Sequence, residues 1–301
     1  MITVFGSINM DLIATTARLP QPGETVPGDT FSTAAGGKGA NQALAAARAG
    51  ARVKMAGAVG RDAFAEPALA LLGAAHVDLR PVKKVDGPTG TALILVGGDG
   101  ENMIAVVPGA NGTITAEDAQ TAVSALQEDD ILMLQMEIPA EAVEAALVAA
   151  GERAVTTIFN TAPFTQETAR LAKLATIIVS NETEFDLLVG RGPLDDEQRI
   201  AAIHEVHATT GQTLVVTLGA KGAAAIHQGH LYHMAGLKIE PVDTVGAGDT
   251  FCGYLAATLD EGMPFPAAVH RAAIAGSLAC LKPGAQPAIP LGSEVAAAIN
   301  G

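Results

Sequence analysis

Residues 130–159 read DILMLQMEIPAEAVEAALVAAGERAVTTIF, and the spacing of their apolar residues changes twice. Ile131 to Met136 form a short apolar run, as a buried strand requires, and residues 140–150 then follow a helical period. A second apolar run at 154–159 completes a strand–helix–strand unit. The same alternation continues outward on both sides. Helical stretches are expected near 38–49, 63–74, 196–210 and 264–281, and apolar runs at 53–59, 176–180 and 213–218. Met1 to Phe5 supply a first buried strand, whose end delivers Ser7 to Asp11 to a sheet edge. Alternation of this kind predicts an α/β fold, a doubly wound and mostly parallel sheet with helices on both faces.

Two segments, approximately 12–33 and 89–107, break the alternation. Thr91–Val96 and Met103–Val107 flank Gly97-Gly98-Asp99-Gly100, which is a hairpin signal. With the extended pieces around Pro20–Gly23 this hairpin predicts a small β-sheet serving as a lid or a dimer contact; the plainer alternative is an antiparallel extension of the main sheet. No repeat, linker or composition shift divides the chain, so residues 1–301 read as a single domain.

At 301 residues and 49% hydrophobic the chain can bury a large core. Aromatic residues are 3% and Trp is absent, which disfavours a nucleic-acid surface built on stacking. A net charge of −14 repels nucleic acids and anionic membranes, so a nucleotide site must supply its own positive potential from amides, a few cations and Mg²⁺. Cys252 and Cys280 make no disulfide framework. Residues 1–10 carry no signal-peptide pattern and no apolar run reaches membrane-spanning length, which gives the cytoplasm as the expected address.

Chemistry concentrates in the segment Val242-Asp243-Thr244-Val245-Gly246-Ala247-Gly248-Asp249-Thr250-Phe251. Phe251, Leu255 and Leu259 recur at helical spacing, so Asp249 belongs to a first helical turn. The Gly246-Ala247-Gly248 amides then form a helix N-terminus suited to negative charge. An anion site beside a carboxylate suits phosphoryl transfer with Asp249 as base; the plainer reading is a capped helix after a tight turn. Ala35-Gly36-Gly37-Lys38-Gly39-Ala40-Asn41 looks like a P-loop but lacks its spacing: Ser32 and Gly39 stand where Gly and Ser or Thr are needed. Its glycines instead allow a polyhydroxylated ligand to approach the backbone, with Lys38 and Asn41 as partners. Asn9, Asp11, Lys38, Asn41, Glu137 and Asp249 together suit a sugar, and strand ends on one edge of a doubly wound sheet bring such residues together. The turn Thr217–Gly222 offers amides to nucleotide phosphates. Asn181-Glu182-Thr183-Glu184 opens a helix, where Glu184 is either a capping residue or a water-mediated partner of Mg²⁺. Gly229 separates His227 from His230 and His233 by a turn, so these imidazoles do not share one face as a metal site would need.

These two glycine motifs, with Gly6-Ser7-Ile8-Asn9-Met10-Asp11, the Asn181–Glu184 segment and Gly284-Ala285-Gln286-Pro287, resemble the ribokinase-like, or PfkB, carbohydrate kinase family from Gly6 to about Pro290. The resemblance implies an ATP-dependent kinase with a small β lid, through which members commonly form homodimers. It implies that Asn9, Asp11, Gly37, Lys38, Asn41 and Glu137 hold ribose, that Asp249 is the base facing O5, and that Gly246, Ala247 and Gly248 form the anion hole. It implies ATP contacts from Asn181, Thr217, Gly219, Gly222, Gly248 and Ala273, and an indirect Mg²⁺ role for Glu184. A K⁺ site would be formed by Asp243, Val245, Ala279, Lys282, Gly284 and Ala288, mostly through backbone carbonyls. Ala288 stands where members often carry Ser, and Ala273 where a larger polar residue is common. A nucleoside kinase or another sugar kinase of the same family, and a sugar-binding sensor without catalysis, are the competing readings.

Overall fold

The continuous apolar runs form strands because both of their faces are covered. The computed structural model describes residues 1–300. The first half of the chain runs β1 (Ile2–Phe5), β2 (Asn9–Thr16), β3 (Gly28–Gly36), α1 (Lys38–Arg48), β4 (Val53–Gly60), α2 (Ala65–Ala74), β5 (Val82–Val85), β6 (Gly90–Gly97) and β7 (Asn102–Val107). There follow α3 (Ala116–Ser124), β8 (Ile131–Leu134), α4 (Ala140–Glu152), β9 (Thr156–Asn160), α5 (Thr168–Ala172), β10 (Ile177–Asn181) and α6 (Glu182–Leu188). The chain closes with α7 (Asp196–Thr210), β11 (Thr213–Thr217), β12 (Ala223–His227), β13 (His230–Met234), α8 (Ala247–Asp260), α9 (Phe265–Ala279) and α10 (Gly292–Asn300).

Nine strands form the main sheet in the order β13-β12-β11-β10-β9-β8-β1-β4-β5. From β5 to β11 every pairing is parallel, and the hairpin β12–β13 adds an antiparallel edge. Strand periodicity splits the core in two. Ile131 and Met133 point into the layer with α1, α2, α8 and α9, whereas Leu132 and Leu134 point into the layer with α3, α4, α6 and α7. Capping chemistry sets where helices begin: Thr115 with Asp118 opens α3, Asn181 with Glu184 opens α6, and Asp195 with Gln198 opens α7. The imidazole of His227 stacks on Phe265 at 4.5 Å and meets Thr213 Oγ1 at 2.8 Å, so it packs as part of the β12–β13 hairpin. No helix among the described residues is long and apolar enough to cross a membrane.

The two irregular segments form a separate four-stranded sheet, β3-β2-β6-β7, and do not extend the main one. β2 runs parallel to β6, while β3 and β7 pair antiparallel on the outside. This sheet fits the expected lid but begins earlier than the sequence suggests. Asn9 to Asp11 belong to its strand β2 instead of forming a loop at the edge of the main sheet, and β3 extends to Gly36. Glycine hides that extension, because Gly36 carries no side chain to mark a pleat: a Cβ there would lie 2.4 Å from Asp11 Oδ2.

Candidate active site

Ser7 follows β1, Glu137 follows β8, Asn160 ends β9, Asn181 ends β10 and Thr217 ends β11, so the carboxyl ends of five parallel strands present polar groups along one edge. Helices α1 and α8 direct their N-termini to the same place.

Asp249 is the third residue of α8, and Gly246 precedes that helix with φ +76°. A Cβ on Gly246 would lie 2.9 Å from the Ala285 Cβ, so both the conformation and the space require glycine. Asp249 is 7% exposed. Its Oδ2 accepts from Asn41 Nδ2 at 2.9 Å and its Oδ1 from Gln42 Nε2 at 3.0 Å. The amide of Ala247 donates to Thr244 O at a long 3.3 Å. Thus one amide of the expected anion hole has a weak partner within the turn.

Helix α1 has no side-chain cap of its own, since Gly37 is its N-cap. Glu137 takes over that role from another element: its Oε2 accepts from Lys38 N at 3.0 Å and from Ser7 Oγ at 2.6 Å. A carboxylate at this position is also stabilised by the positive end of α1. Gly37 must be glycine here, because φ is +89° and a Cβ would come within 2.8 Å of Asn9 N.

Opposite these helices, β2 contributes Asn9 and Asp11. Asn9 Oδ1 accepts from Asn111 Nδ2 at 2.7 Å, and the Asn111 side chain also bonds both backbone groups of Ile8. Burial, together with the nearby carboxylates of Glu137 and Asp249, pushes the Asp11 carboxyl up to about 6. Burial draws the Lys38 ammonium down, but the charges of Asp249, Glu137 and Glu184 outweigh it and the net shift is upward. Lys38 therefore remains charged. Asp11 and Lys38 thus lie close enough to Glu137 and Asp249 to feel their charges, Asn41 bonds Asp249, and Gly37 packs against the backbone of Asn9.

A cavity of about 610 Å³ adjoins the start of α8. Thr217, Gly219, Gly222, Gly248 and Ala273 line it, as expected of an ATP site. Asn181 is absent from that lining; it pairs in register with Thr217 and caps α6. Glu184 completes the same capping box, and its Oε2 also accepts from Thr161 Oγ1 at 2.8 Å. Sequence reasoning missed the segment Leu237–Pro241, which forms one wall of the cavity and has no periodicity to reveal it. It also missed Asn111, Gln135 and Asn160, although Asn160 ends a strand on the same edge and was within reach of the rule that gathers strand ends.

Of the residues expected around K⁺, Asp243 joins two loops: Oδ1 accepts from Val245 N at 3.0 Å and Oδ2 from Gly284 N at 2.7 Å. Ala279 ends α9 and Ala288 is buried, while the Lys282 ammonium reaches Glu294 at 3.4 Å, leaving its carbonyl as the group able to face a cation. Among the described residues no three His, Cys, Asp or Glu side chains are grouped as a metal site. Asp243 is the one carboxylate of the expected K⁺ set, and both of its oxygens already accept from loop amides.

A buried carboxylate at the start of α8, polar side chains gathered beside it and an adjoining cavity have the form expected of a kinase, and the pfkB family carbohydrate kinase pattern matches residues 1–291. The chain belongs to this family. It is similar to the ribokinase of Haemophilus influenzae, at 33% identity over 97% of this chain and 96% of that protein. It is also similar to the ribokinase of Bacillus subtilis, at 37% identity over 98% of this chain and 97% of that one. Among solved structures, the Arabidopsis thaliana ribokinase complexed with ribose and ATP superposes with a TM-score of 0.89 and 32% identity, covering 100% of this chain and 98% of that one. This kinase thus has the doubly wound fold and the second sheet of its family.

Proposed function

We propose that this kinase transfers the γ-phosphoryl group of ATP to the O5 hydroxyl of D-ribose, giving ribose 5-phosphate and ADP, with Asp249 as general base. The observation that carries this reading is the position of Asp249 between the sugar-binding groups and the nucleotide cavity, which its neighbour Gly248 lines. Asn9 and Asp11 hold the vicinal hydroxyls, Lys38 and Asn41 contribute donors, and Glu137 binds through the oxygen that does not cap α1. O5 faces Asp249, which accepts its proton as the oxygen attacks in line. Amides at 246–248 stabilise the charge of the transferring group, the larger part of the protein's contribution in this chemistry. The Ala247 amide gives up its weak bond to Thr244 in doing so.

Mg²⁺, when bound, would neutralise charge on the phosphates, and Glu184 is the carboxylate that would serve it indirectly. Asp243, Val245, Ala279, Lys282, Gly284 and Ala288 would hold K⁺, whose charge would support the loop that carries the anion hole. The similarity to relatives named ribokinase, one of them in complex with ribose and ATP, supports the same reading. Residues 1–301 act as one domain, with segments near 12–33 and 89–107 as the lid. Two copies pair through that lid, and the enzyme works in the cytoplasm.

Release of ADP measured with ribose, deoxyribose, adenosine and fructose 6-phosphate tests the assignment. Ribose saturates at the lowest concentration and gives the highest kcat/KM, because deoxyribose leaves a buried partner of O2 unpaired. Saturation by adenosine alone would assign the site to a nucleoside, and ribose binding without turnover would assign it to a sensor.

A further inference from the structure

Three buried amides stand behind the carboxylate of Asp249. Gln42 is 0% exposed, Gln135 is 0% exposed and Asn160 is 8% exposed. None of them lines the nucleotide cavity. Gln42 is the hub. One proton of its Nε2 is directed to Asp249 Oδ1 at 3.0 Å and the other to Asn160 Oδ1 at 3.2 Å, while its Oε1 accepts from Gln135 Nε2 at 2.7 Å.

The orientation of this network follows from one backbone group. Asn160 Nδ2 lies 3.2 Å from the carbonyl of Val179, and only the amide nitrogen can donate to a carbonyl. Asn160 must therefore turn its oxygen toward Gln42, Gln42 must answer with its nitrogen, and the same nitrogen then faces Asp249. Turning Gln42 over would place its oxygen against both Asp249 and Asn160 and its nitrogen against the donor of Gln135. A flipped state would break three bonds in a dry interior, where each is costly. The space is shaped for this arrangement too, since a Cβ on Gly6 would lie 2.1 Å from Gln135 Oε1.

We infer that Gln42, locked by Asn160 and Gln135, is a positioning residue for the phosphoryl transfer. It holds Oδ1 of Asp249 while Asn41 holds Oδ2, and the carboxylate cannot rotate away from the acceptor hydroxyl. The inference rests on Asp249 being the base. Gln42 is fully buried behind the carboxylate, so its effect falls on the chemical step and not on sugar affinity.

Three variants test this. Gln42→Met keeps the volume and removes the amide. Gln42→Met with Gln135→Met removes both partners of the second bond, so that the Gln135 amide is not left as an unpaired buried donor. Gln42→Glu keeps an acceptor for Gln135 but sets a carboxyl against Asp249. In both methionine variants kcat falls about 10–100-fold, the scale of a mispositioned reacting group, while the KM for ribose stays within about threefold. In Gln42→Glu the acid limb of kcat, measured at saturating ribose so that the effect of Asp11 on KM does not enter, moves up by about one pH unit or more, because two adjacent carboxyls share a proton. Wild-type kcat in a folded methionine variant, or an unmoved acid limb in Gln42→Glu, overturns the inference. Asp249→Asn separates it from the reading beneath: an inactive Asp249→Asn beside a normal Gln42→Met removes only the role of Gln42, whereas an active Asp249→Asn removes the base as well.

Discussion

Asp11 is the residue whose ionisation the site controls most visibly. Burial first, then the charges of Glu137 and Asp249, place it at about 6, above its ordinary value of 3.8. A raised carboxyl binds its proton more tightly in the folded state, so between about pH 4 and 6 the folded protein holds more protons than the unfolded chain and stability falls as pH rises through that window. In the proposed site sugar binding would have the opposite sign, because the hydroxyls would donate to the ionised carboxylate. The KM for ribose therefore rises as pH drops below about 6, and Asp11→Asn loses this dependence, weakens ribose binding and raises the melting temperature at pH 7. A flat KM between pH 5 and 7 in the unmodified enzyme would remove Asp11 from the sugar site. Asp249, Asn41 and Lys38 were legible because their neighbours are glycines with a definite spacing. Gln42 and Gln135 were not, since a glutamine without a charge partner gives the same sequence signal whether it sits in solvent or in a buried network.

Helices α1 and α8 bring Asn41 and Gln42 to Asp249, and their separation is set by Gly253. A Cβ on Gly253 would lie 2.5 Å from the Ala45 Cβ, 2.6 Å from Gln42 O and 2.7 Å from Ala46 N, so the helices touch backbone to backbone. Gly253→Ala forces them apart at the turn that carries the two donors. Overpacking of this kind typically costs about 1–3 kcal/mol, and the same shift lengthens the bonds to Asp249, so stability and kcat fall together. Denaturant melts and steady-state rates on one preparation check it; an unchanged kcat would mean that the helices can separate without disturbing the base. Element types were readable from period alone, as in α4 between β8 and β9. The contact between α1 and α8 was not, because an alanine-rich helix looks the same from sequence whichever small residues face its partner. The early start of β2 was hidden for a related reason: Gly6, Ser7 and Ile8 are the whole connection between two strands of different sheets, and a break that short reads as the end of β1.

For the whole molecule, the division into a nine-stranded sheet and a separate four-stranded one leaves the smaller sheet with apolar side chains in solvent. Phe31 is 69% exposed, Leu93 48% and Met103 53%, and the strand register sets these three on one face of β3, β6 and β7; Ile104 and Val106 lie on the other face, the one that carries Asp11. A patch of this kind on a chain of net charge −14 suits a second copy of itself, since apolar burial has to overcome mutual repulsion. Sedimentation is expected to give a dimer that weakens at low salt, and Phe31→Glu with Met103→Glu is expected to give a monomer; a monomeric unmodified protein at micromolar concentration would contradict the lid contact. The fold class was legible because alternation of strands and helices is a global pattern, whereas the separateness of the lid depends on long-range pairing that hydrophobic period cannot specify. All of these features serve the proposed arrangement, in which Asp249 would meet a sugar hydroxyl on one side and the nucleotide on the other. The most direct test is Asp249→Asn assayed for ADP release with ribose and ATP, alongside ribose binding by calorimetry. The account predicts that kcat falls by about 10³-fold or more while ribose affinity stays within about tenfold, as expected for a positioned general base. Turnover near that of the unmodified enzyme would contradict it.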